Sequence, residues 1–258
     1  MRDLDEAELA ALAKRMLADY DAATPGTAFA EGLQLSVADG WRVQAAVAEL
    51  REARGERLAG YKIGCVDLGN RQSMGLPHPA YGRLWAHEQH LDGAELRLSD
   101  YANPAMEAEF AITLSRDVIA GVGQEELLAS IEAIYPVIEI HNLVLRSEDP
   151  RGAELLANNA INAGSVRGAP VADLSARTTD LKLIYDGEVV DEWEGLTWPS
   201  DMLQAIGWLV EQLAEQGKAL KAGDLILTGA FGPPIPLNGP RRVDVTSSAF
   251  GSVSATFA

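Results

Sequence analysis

The stretch from Tyr101 to Leu114, YANPAMEAEFAITL, is the part of the sequence that most constrains the fold. Alternate positions carry an unbroken apolar row, which consists of Met106, Ala108, Phe110, Ile112 and Leu114. Side chains alternate between the two faces of a strand, so the pattern predicts a buried strand with Glu107 and Glu109 together on its other face. Two carboxylates side by side repel each other and raise each other's pKa. Open water, a basic partner or a metal ion must therefore accompany them.

Composition limits the kinds of protein that the chain can be. Its 258 residues are 47% hydrophobic, enough for one large domain with a sizeable core. The formal net charge of −17 argues against binding to nucleic acid or to anionic membrane surfaces. Cys65 is the single cysteine, and no apolar run reaches the roughly 18–20 residues of a membrane span. We therefore expect a cytoplasmic protein without disulfides.

The order of elements predicts helices first and strands later. Residues 3–21 and 35–54 have helical spacing, with Ser36 as an N-cap for the second helix. Further helices are predicted over 125–136, ended by Pro136, and over 200–217, capped by Ser200. Short strands are predicted at 137–140, on both sides of the Asp186-Gly187 turn and in three segments after residue 222. We expect an α+β chain with a helical segment over 1–58 and a strand-rich domain over 59–258.

Glu139 adds a third carboxylate. It stands in PVIEIHN between apolar residues, where an unpaired charge costs several kcal/mol. The outer face of an edge strand would also explain Glu107 and Glu109. Three carboxylates on strands, with few arginines nearby in sequence, instead favour Mg²⁺ or Mn²⁺, which prefer oxygen ligands.

Other polar residues leave alternatives open. Lys62, in GYKIG, is either a side chain at a sheet edge or a group that serves an anionic substrate, as a cation or as a proton donor. HEQH at 87–90 is one residue short of the zinc-peptidase spacing, so it predicts a polar loop. Trp193, Trp198 and Trp208 indicate either a subunit interface or filling of the core.

The segments GYKIG, MEAEFAITL, VIEIHN, GDLILTG and FGSVSATF occur in this order along the chain. Together they resemble the 2-keto-4-pentenoate hydratases and 4-oxalocrotonate decarboxylases of the fumarylacetoacetate hydrolase superfamily. The resemblance implies a mixed β-roll body, Mg²⁺ or Mn²⁺ held by Glu107, Glu109 and Glu139, and an active-site lysine at Lys62. Such a metal stabilises the enolate of a 2-oxo acid as a Lewis acid.

Three segments depart from the family pattern. Ala80 stands in HPAYG where the hydratases have an aspartate, and NNAIN has Asn158 and Ile161 in place of an acid and a serine. His141 and Asn142 follow Glu139 in place of the usual residues. We expect His141 to join Lys62 as a catalytic group, since an imidazole titrates near neutral pH. The predicted substrate contacts are His78, Asn159, Asn162 and Thr228.

The leading hypothesis is a metal-dependent lyase that adds water to a 2-hydroxy-2,4-dienoate and gives a 4-hydroxy-2-oxo acid. One alternative is a decarboxylase or C–C hydrolase acting on a related 2-oxo acid. Another is a non-catalytic partner subunit, because hydratases and decarboxylases of this family associate. The expected partners are a small anionic substrate and further copies of the chain, with a decarboxylase subunit as the alternative partner.

Overall fold

A computed structural model describes residues 3–146 and 150–258. The eight α-helices of these residues are α1 (Glu6–Asp21), α2 (Thr27–Ala30), α3 (Val37–Ala53), α4 (Leu68–Met74), α5 (Gln124–Leu128), α6 (Gly152–Ala157), α7 (Ser200–Leu203) and α8 (Ile206–Glu215). The first seven strands are β1 (Leu58–Gly64), β2 (Ala80–Trp85), β3 (Gln89–Leu91), β4 (Ala94–Leu96), β5 (Pro104–Leu114), β6 (Ile131–Asn142) and β7 (Asn162–Arg167). The remaining six are β8 (Thr178–Tyr185), β9 (Glu188–Thr197), β10 (Leu225–Leu227), β11 (Ile235–Pro236), β12 (Arg241–Ser247) and β13 (Gly251–Phe257).

The strands form two sheets. The larger has the order β2-β1-β10-β5-β6-β7-β3, and β11 pairs with β5 beyond the end of β10. The smaller has the order β4-β13-β12-β8-β9. Parallel pairs, such as β1 with β10, occur beside antiparallel ones, such as β5 with β6. The predicted α+β class with a mixed, roll-like body behind N-terminal helices is confirmed.

The main core lies between the sheets. The apolar row of β5, from Met106 to Leu114, is buried in one cluster with Val243, Val253 and Phe257 of the smaller sheet. The opposite face of β5 carries Glu107 and Glu109 at one end and Ala111 in a small apolar cluster at the other. The alternation along β5 therefore separates a face that stabilises the fold from a face that can hold a polar site.

The N-terminal helices pack on the strand-rich body through α6. Asp5 caps α1 in a capping box with Glu8, and the Ser36 side chain accepts from the Asp39 amide, as predicted. A Cβ at Gly40 would lie 2.7 Å from the Ala153 carbonyl oxygen, so α3 and α6 approach closely. The boundary between a helical segment over 1–58 and a strand-rich domain over 59–258 stays a prediction.

Two helix predictions are correct only in part. The helix predicted over 125–136 is present as α5 (Gln124–Leu128), which ends well before Pro136. Residues 131–136 continue strand β6 instead of a helix, because Ile131 to Tyr135 pair with β5 and lie in the buried sheet. Pro136 is tolerated since its carbonyl accepts from Gly168 N (3.0 Å), which places its missing N–H on the side where β7 has ended. The helix predicted over 200–217 is two helices, which meet at Gln204 and Ala205, and its N-cap is Pro199 rather than Ser200.

The tryptophans belong largely to the core. Trp198 is buried, and Trp193 and Trp208 are partly buried against the main core cluster. They therefore give no independent support for a subunit interface. No helix among the described residues is long and apolar enough to cross a membrane.

Candidate metal centre and active site

The register of β5 against β6 brings two glutamates face to face. Glu107 and Glu139 are direct cross-strand partners, so their side chains leave the sheet on the same face. Like charges placed directly opposite each other destabilise a sheet unless other groups compensate them. Glu139 has no exposed surface, so the compensation must come from neighbouring protein groups or from a bound cation.

Three side chains surround this pair. Lys62 Nζ lies 3.1 Å from Glu139 Oε1, and the Asn162 amide Nδ2 donates to the same oxygen at 2.8 Å. His141 Nε2 lies 2.8 Å from Glu107 Oε2 and 3.3 Å from Glu139 Oε2. Lys62 reaches the site from β1, where it pairs with Leu227 of β10 and Gly82 of β2. The sheet thus brings together five polar side chains from four strands: Lys62 of β1, Glu107 of β5, Glu139 and His141 of β6, and Asn162 of β7.

Glu109 lies beside this group with different contacts. It has no exposed surface, and its Oε1 accepts from the Gly229 amide, just after β10 ends. Burial and the neighbouring Glu139 carboxylate raise the pKa of Glu109 well above its usual range. Glu107, Glu139 and His141 form the compact set, in which one donor atom of each lies within 4.8 Å of the others.

The buried polar atoms fit a divalent cation. Glu109 Oε2, Glu139 Oε2 and His141 Nδ1 are buried and have no hydrogen-bond partner among the described residues. Buried polar atoms in native proteins are normally satisfied, so such a group indicates a missing ion, water or substrate. Carboxylate oxygens with one imidazole are donors suited to Mg²⁺, Mn²⁺ or a later first-row ion.

The negative charge of the carboxylates raises the pKa values of Lys62 and His141. Burial alone would lower the pKa of Lys62, but Glu139, Glu107 and Glu109 outweigh it and raise that pKa above its ordinary value. Burial likewise opposes charge on His141, yet Glu139 and Glu107 raise its pKa to about 9. In the metal-free site, the direction at Lys62 favours a charged ammonium group over a proton donor whose pKa is lowered by burial.

A cleft of about 650 Å³ opens on this cluster. Lys62, Glu107 and His141 form its polar floor. Its walls come from α4, the end of β6, α6 and the loop from Ala230 to Pro234. A concave volume of this size with convergent polar groups at one end is typical of a site for a small ligand.

A strained turn positions Asn162. Asn159, Ala160 and Ile161 all have positive φ, at 56°, 51° and 57°. This region is uncommon for non-glycine residues and costly for β-branched Ile161, so the surrounding structure must hold the turn in place. Asn159 supplies part of this support, because its side chain donates to Arg83 O (2.9 Å) and accepts from Arg83 N (2.7 Å).

Three residues predicted to contact substrate do not line the cleft. Asn159 is fixed to the backbone of β2, and the Thr228 hydroxyl donates to Phe110 O at 3.1 Å. His78 packs beside Trp41 and Trp208, with ring centroids 6.1 and 5.6 Å away. The structure therefore brings Lys62, His141 and Asn162 to the carboxylates but does not bring these three.

Sequence reasoning missed two features of the site. It overlooked the Gly229 amide that binds Glu109, and it overlooked the cleft wall that includes Phe231 and Pro234. The signal for both was the Gly- and Pro-rich segment TGAFGPPIP, which overlaps the end of the predicted strand GDLILTG. A loop of this composition beside a strand that carries the acidic pair was a reasonable candidate for a ligand-binding wall.

The chain was compared with known protein families. The model of the fumarylacetoacetate (FAA) hydrolase C-terminal family matches residues 83–258, which include both glutamate strands. The chain belongs to the fumarylacetoacetate hydrolase family.

Relatives and solved structures support this membership. A protein named TodF product hydratase from Pseudomonas putida F1 is 31% identical to this chain. The alignment covers 100% of this chain and 99% of that protein. A 2-keto-4-pentenoate hydratase from Burkholderia vietnamiensis is 32% identical over 81% of each chain. The structure of 4-oxalocrotonate decarboxylase from Pseudomonas putida G7, complexed with calcium and acetate, superimposes with a TM-score of 0.86 at 26% identity over the full length of both chains.

Proposed function

We propose that this protein is a hydratase that depends on a divalent metal and adds water to a 2-hydroxy-2,4-dienoate, or to its 2-oxo-4-enoate tautomer. The product is a 4-hydroxy-2-oxo acid, and no oxidant or reductant is consumed. The carrying observation is the Glu107–Glu139 pair, in which buried Glu139 has an unpartnered carboxylate oxygen and Glu107 lines the cleft. The 31% and 32% identity to two hydratases supports this reaction over others of the family.

Glu107, Glu109 and Glu139 are the proposed ligands of Mg²⁺ or Mn²⁺. When bound, such an ion supplies Lewis-acid stabilisation of the negative charge that develops on a substrate oxygen. The calcium ion in the related decarboxylase structure supports a divalent cation in this family, and the choice of Mg²⁺ or Mn²⁺ is part of our proposal.

Lys62 is the proposed anchor for the substrate carboxylate. The net charge of −17 repels an anionic substrate at long range, so the site needs a local cation. Lys62 is buried at the cleft floor, where its ammonium group can contact a carboxylate that displaces water. Apolar walls that include Leu155 and Phe231 would enclose the hydrocarbon part of the substrate and exclude bulk water.

His141 is the proposed proton carrier, since two alternatives are absent from this chain. Ala80 and Ile161 have no titratable atom, although the family resemblance implies an aspartate and a serine at these positions. Nδ1 of His141 has no partner among the described residues, and the residue lines the cleft. A positioned imidazole contributes roughly 10²–10⁴-fold to such reactions. Asn162 orients Glu139, and the proposed substrate roles of His78, Asn159 and Thr228 would require contacts that form on binding.

The deciding experiment is turnover of a panel of 2-oxo acids by the purified chain with Mg²⁺ or Mn²⁺, followed by product analysis. We expect a hydrated product with all substrate carbons retained. Release of CO₂ would favour a decarboxylase, which the full-length similarity to 4-oxalocrotonate decarboxylase keeps as the second candidate. Absence of turnover by the chain alone, with activity restored by an added decarboxylase, would favour the partner-subunit alternative.

We also propose that the protein is a homo-oligomer, as the family resemblance implies. Light scattering should give a mass that is a multiple of the 27.6 kDa chain. A mass near that of one chain would contradict this.

A further inference from the structure

The contacts of His141 are unusual for a hydrogen-bonded imidazole. One ring nitrogen carries either one proton or one lone pair, so it makes one well-directed hydrogen bond. Yet Nε2 lies 2.8 Å from Glu107 Oε2 and 3.3 Å from Glu139 Oε2. Only the first contact has hydrogen-bond geometry, which leaves Glu139 Oε2 without a partner although Glu139 is fully buried.

These distances agree with donor atoms that share one ion. Two ligands at about 2.1 Å from a six-coordinate cation, at right angles to each other, lie roughly 3.0 Å apart. The two contacts of Nε2 lie on either side of this value. The three side chains can point towards one ion, because Glu139 and His141 are two residues apart on β6 and share a face with Glu107.

We propose that His141 Nε2 is itself a metal ligand, together with Glu107 and Glu139, and that it shifts the preference of the site from Mg²⁺ towards Mn²⁺ and later first-row ions. The inference rests on the metal dependence proposed above, and it revises the acid–base role of His141. Imidazole suits Mn²⁺, Fe²⁺, Co²⁺ and Zn²⁺ far better than it suits Mg²⁺, which prefers oxygen donors and water.

Ligation changes what the ring can do. With Nε2 bound to a metal, the neutral imidazole keeps its one proton on Nδ1. That nitrogen is buried and has no acceptor among the described residues. A ring fixed in this way donates a hydrogen bond but does not act as a general base. Proton transfer would then fall to water bound in the cleft.

The direct test is electron spin-echo envelope modulation of the protein loaded with one equivalent of Mn²⁺. We expect modulation from a directly bound ¹⁴N nucleus in the unmodified chain and its loss in His141→Gln. His87→Gln is the matched control, because Glu56, His87 and Glu88 form the other cluster of potential ligands among the described residues. Arg51 already pairs with Glu56 (2.6 Å) and with Glu88, so the control should keep the signal.

Metal titration gives a second readout that does not depend on catalysis. His141→Gln should weaken Mn²⁺ binding by about tenfold or more, while Mg²⁺ binding changes by less than about threefold. Absence of ¹⁴N modulation in the unmodified chain would overturn the proposal, even if the variant fails to fold. Equal weakening of both ions would also overturn it. A nitrogen signal without hydratase activity would support the ligand and refute the proposed reaction.

Discussion

Replacement of Lys62 with methionine tests the electrostatic balance of the site in a single substitution. Methionine keeps much of the length and packing of the lysine stem but removes the charge. Lys62 Nζ lies 3.1 Å from Glu139 Oε1, so at an effective dielectric constant of about 20 the pair attracts by about 5 kcal/mol. Because both groups are buried, loss of one partner leaves an uncompensated charge, which typically costs about 3–5 kcal/mol.

We therefore expect the metal-free Lys62→Met protein to be destabilised by about 3–5 kcal/mol, or roughly 10 °C in Tm. Metal should reverse part of this loss. An ion at 100 times its Kd adds about 2.7 kcal/mol to the folded state. The variant should bind the ion more tightly than the parent, since a competing positive charge is gone, and should therefore gain more. Turnover should be abolished even at saturating metal, because the proposed carboxylate anchor is missing.

The assay is urea unfolding of both proteins, with a chelator and with saturating Mn²⁺. Lys182→Met is the matched control, since Lys182 forms an ion pair with Glu192 on the solvent-accessible hairpin of β8 and β9. Exposed pairs contribute little, so this control should leave stability and turnover nearly unchanged. Equal stability of metal-free Lys62→Met and parent would refute the reasoning, as would the same metal-induced gain in both.

Three further substitutions test the supporting structure. Asn162→Ala removes the 2.8 Å hydrogen bond to Glu139 and should weaken metal binding about 10–100-fold, measured by titration, with the fold intact by circular dichroism. Gly82→Ala would place a Cβ 2.3 Å from the Asn159 carbonyl oxygen, so thermal unfolding should show a loss of about 1–3 kcal/mol and activity should fall as the turn shifts. Phe110→Ala, on the apolar face of β5, should cost about 3–5 kcal/mol in urea unfolding. Unchanged metal affinity, stability or unfolding midpoint, respectively, would contradict each expectation.

Alternation along the chain was a reliable guide wherever one face of a strand is buried. The row from Met106 to Leu114 predicted β5 and the shared face of Glu107 and Glu109, and both are observed. The Asp186-Gly187 turn is also confirmed, because the positive φ of these residues (51° and 87°) is a local requirement that the pair meets. These features depend on periodicity or turn chemistry, which the sequence carries directly.

The helix errors occurred where long-range pairing decides the structure. Residues 131–135 have a pattern that also suits a helix, but they lie between β5 and the segment that follows β7, where ladder hydrogen bonds satisfy the backbone. Pro136 predicts a helix end, although a strand also accepts proline where no neighbour needs its N–H. Local propensity does not contain this information, because it depends on which strands become neighbours.

The sequence predicted the charged residues of the site better than the contacts of its uncharged polar residues. The resemblance indicated Glu107, Glu139 and Lys62, and the structure brings them to one cluster. Asn159 was expected to contact substrate, but its side-chain amide is hydrogen-bonded to the backbone of Arg83. Which way an asparagine in a left-handed turn points depends on the path of the turn, and three consecutive positive φ values cannot be read from NNAIN.

The position of the cleft follows from an interruption in the sheet. Strand β10 pairs with β5 at Ala111 to Thr113, and β11 pairs with it again at Ala105 and Met106. Between these points the chain leaves β5 and forms the loop over residues 228–234, part of which is a wall of the cleft. The backbone of β5 remains satisfied at the edge of this gap, since Thr228 N donates to Phe110 O (3.0 Å). The next amide, of Gly229, is thereby directed at Glu109. One departure of the strand thus opens space for a ligand and fixes a carboxylate beside it, so changes in this loop should alter metal binding and substrate choice together.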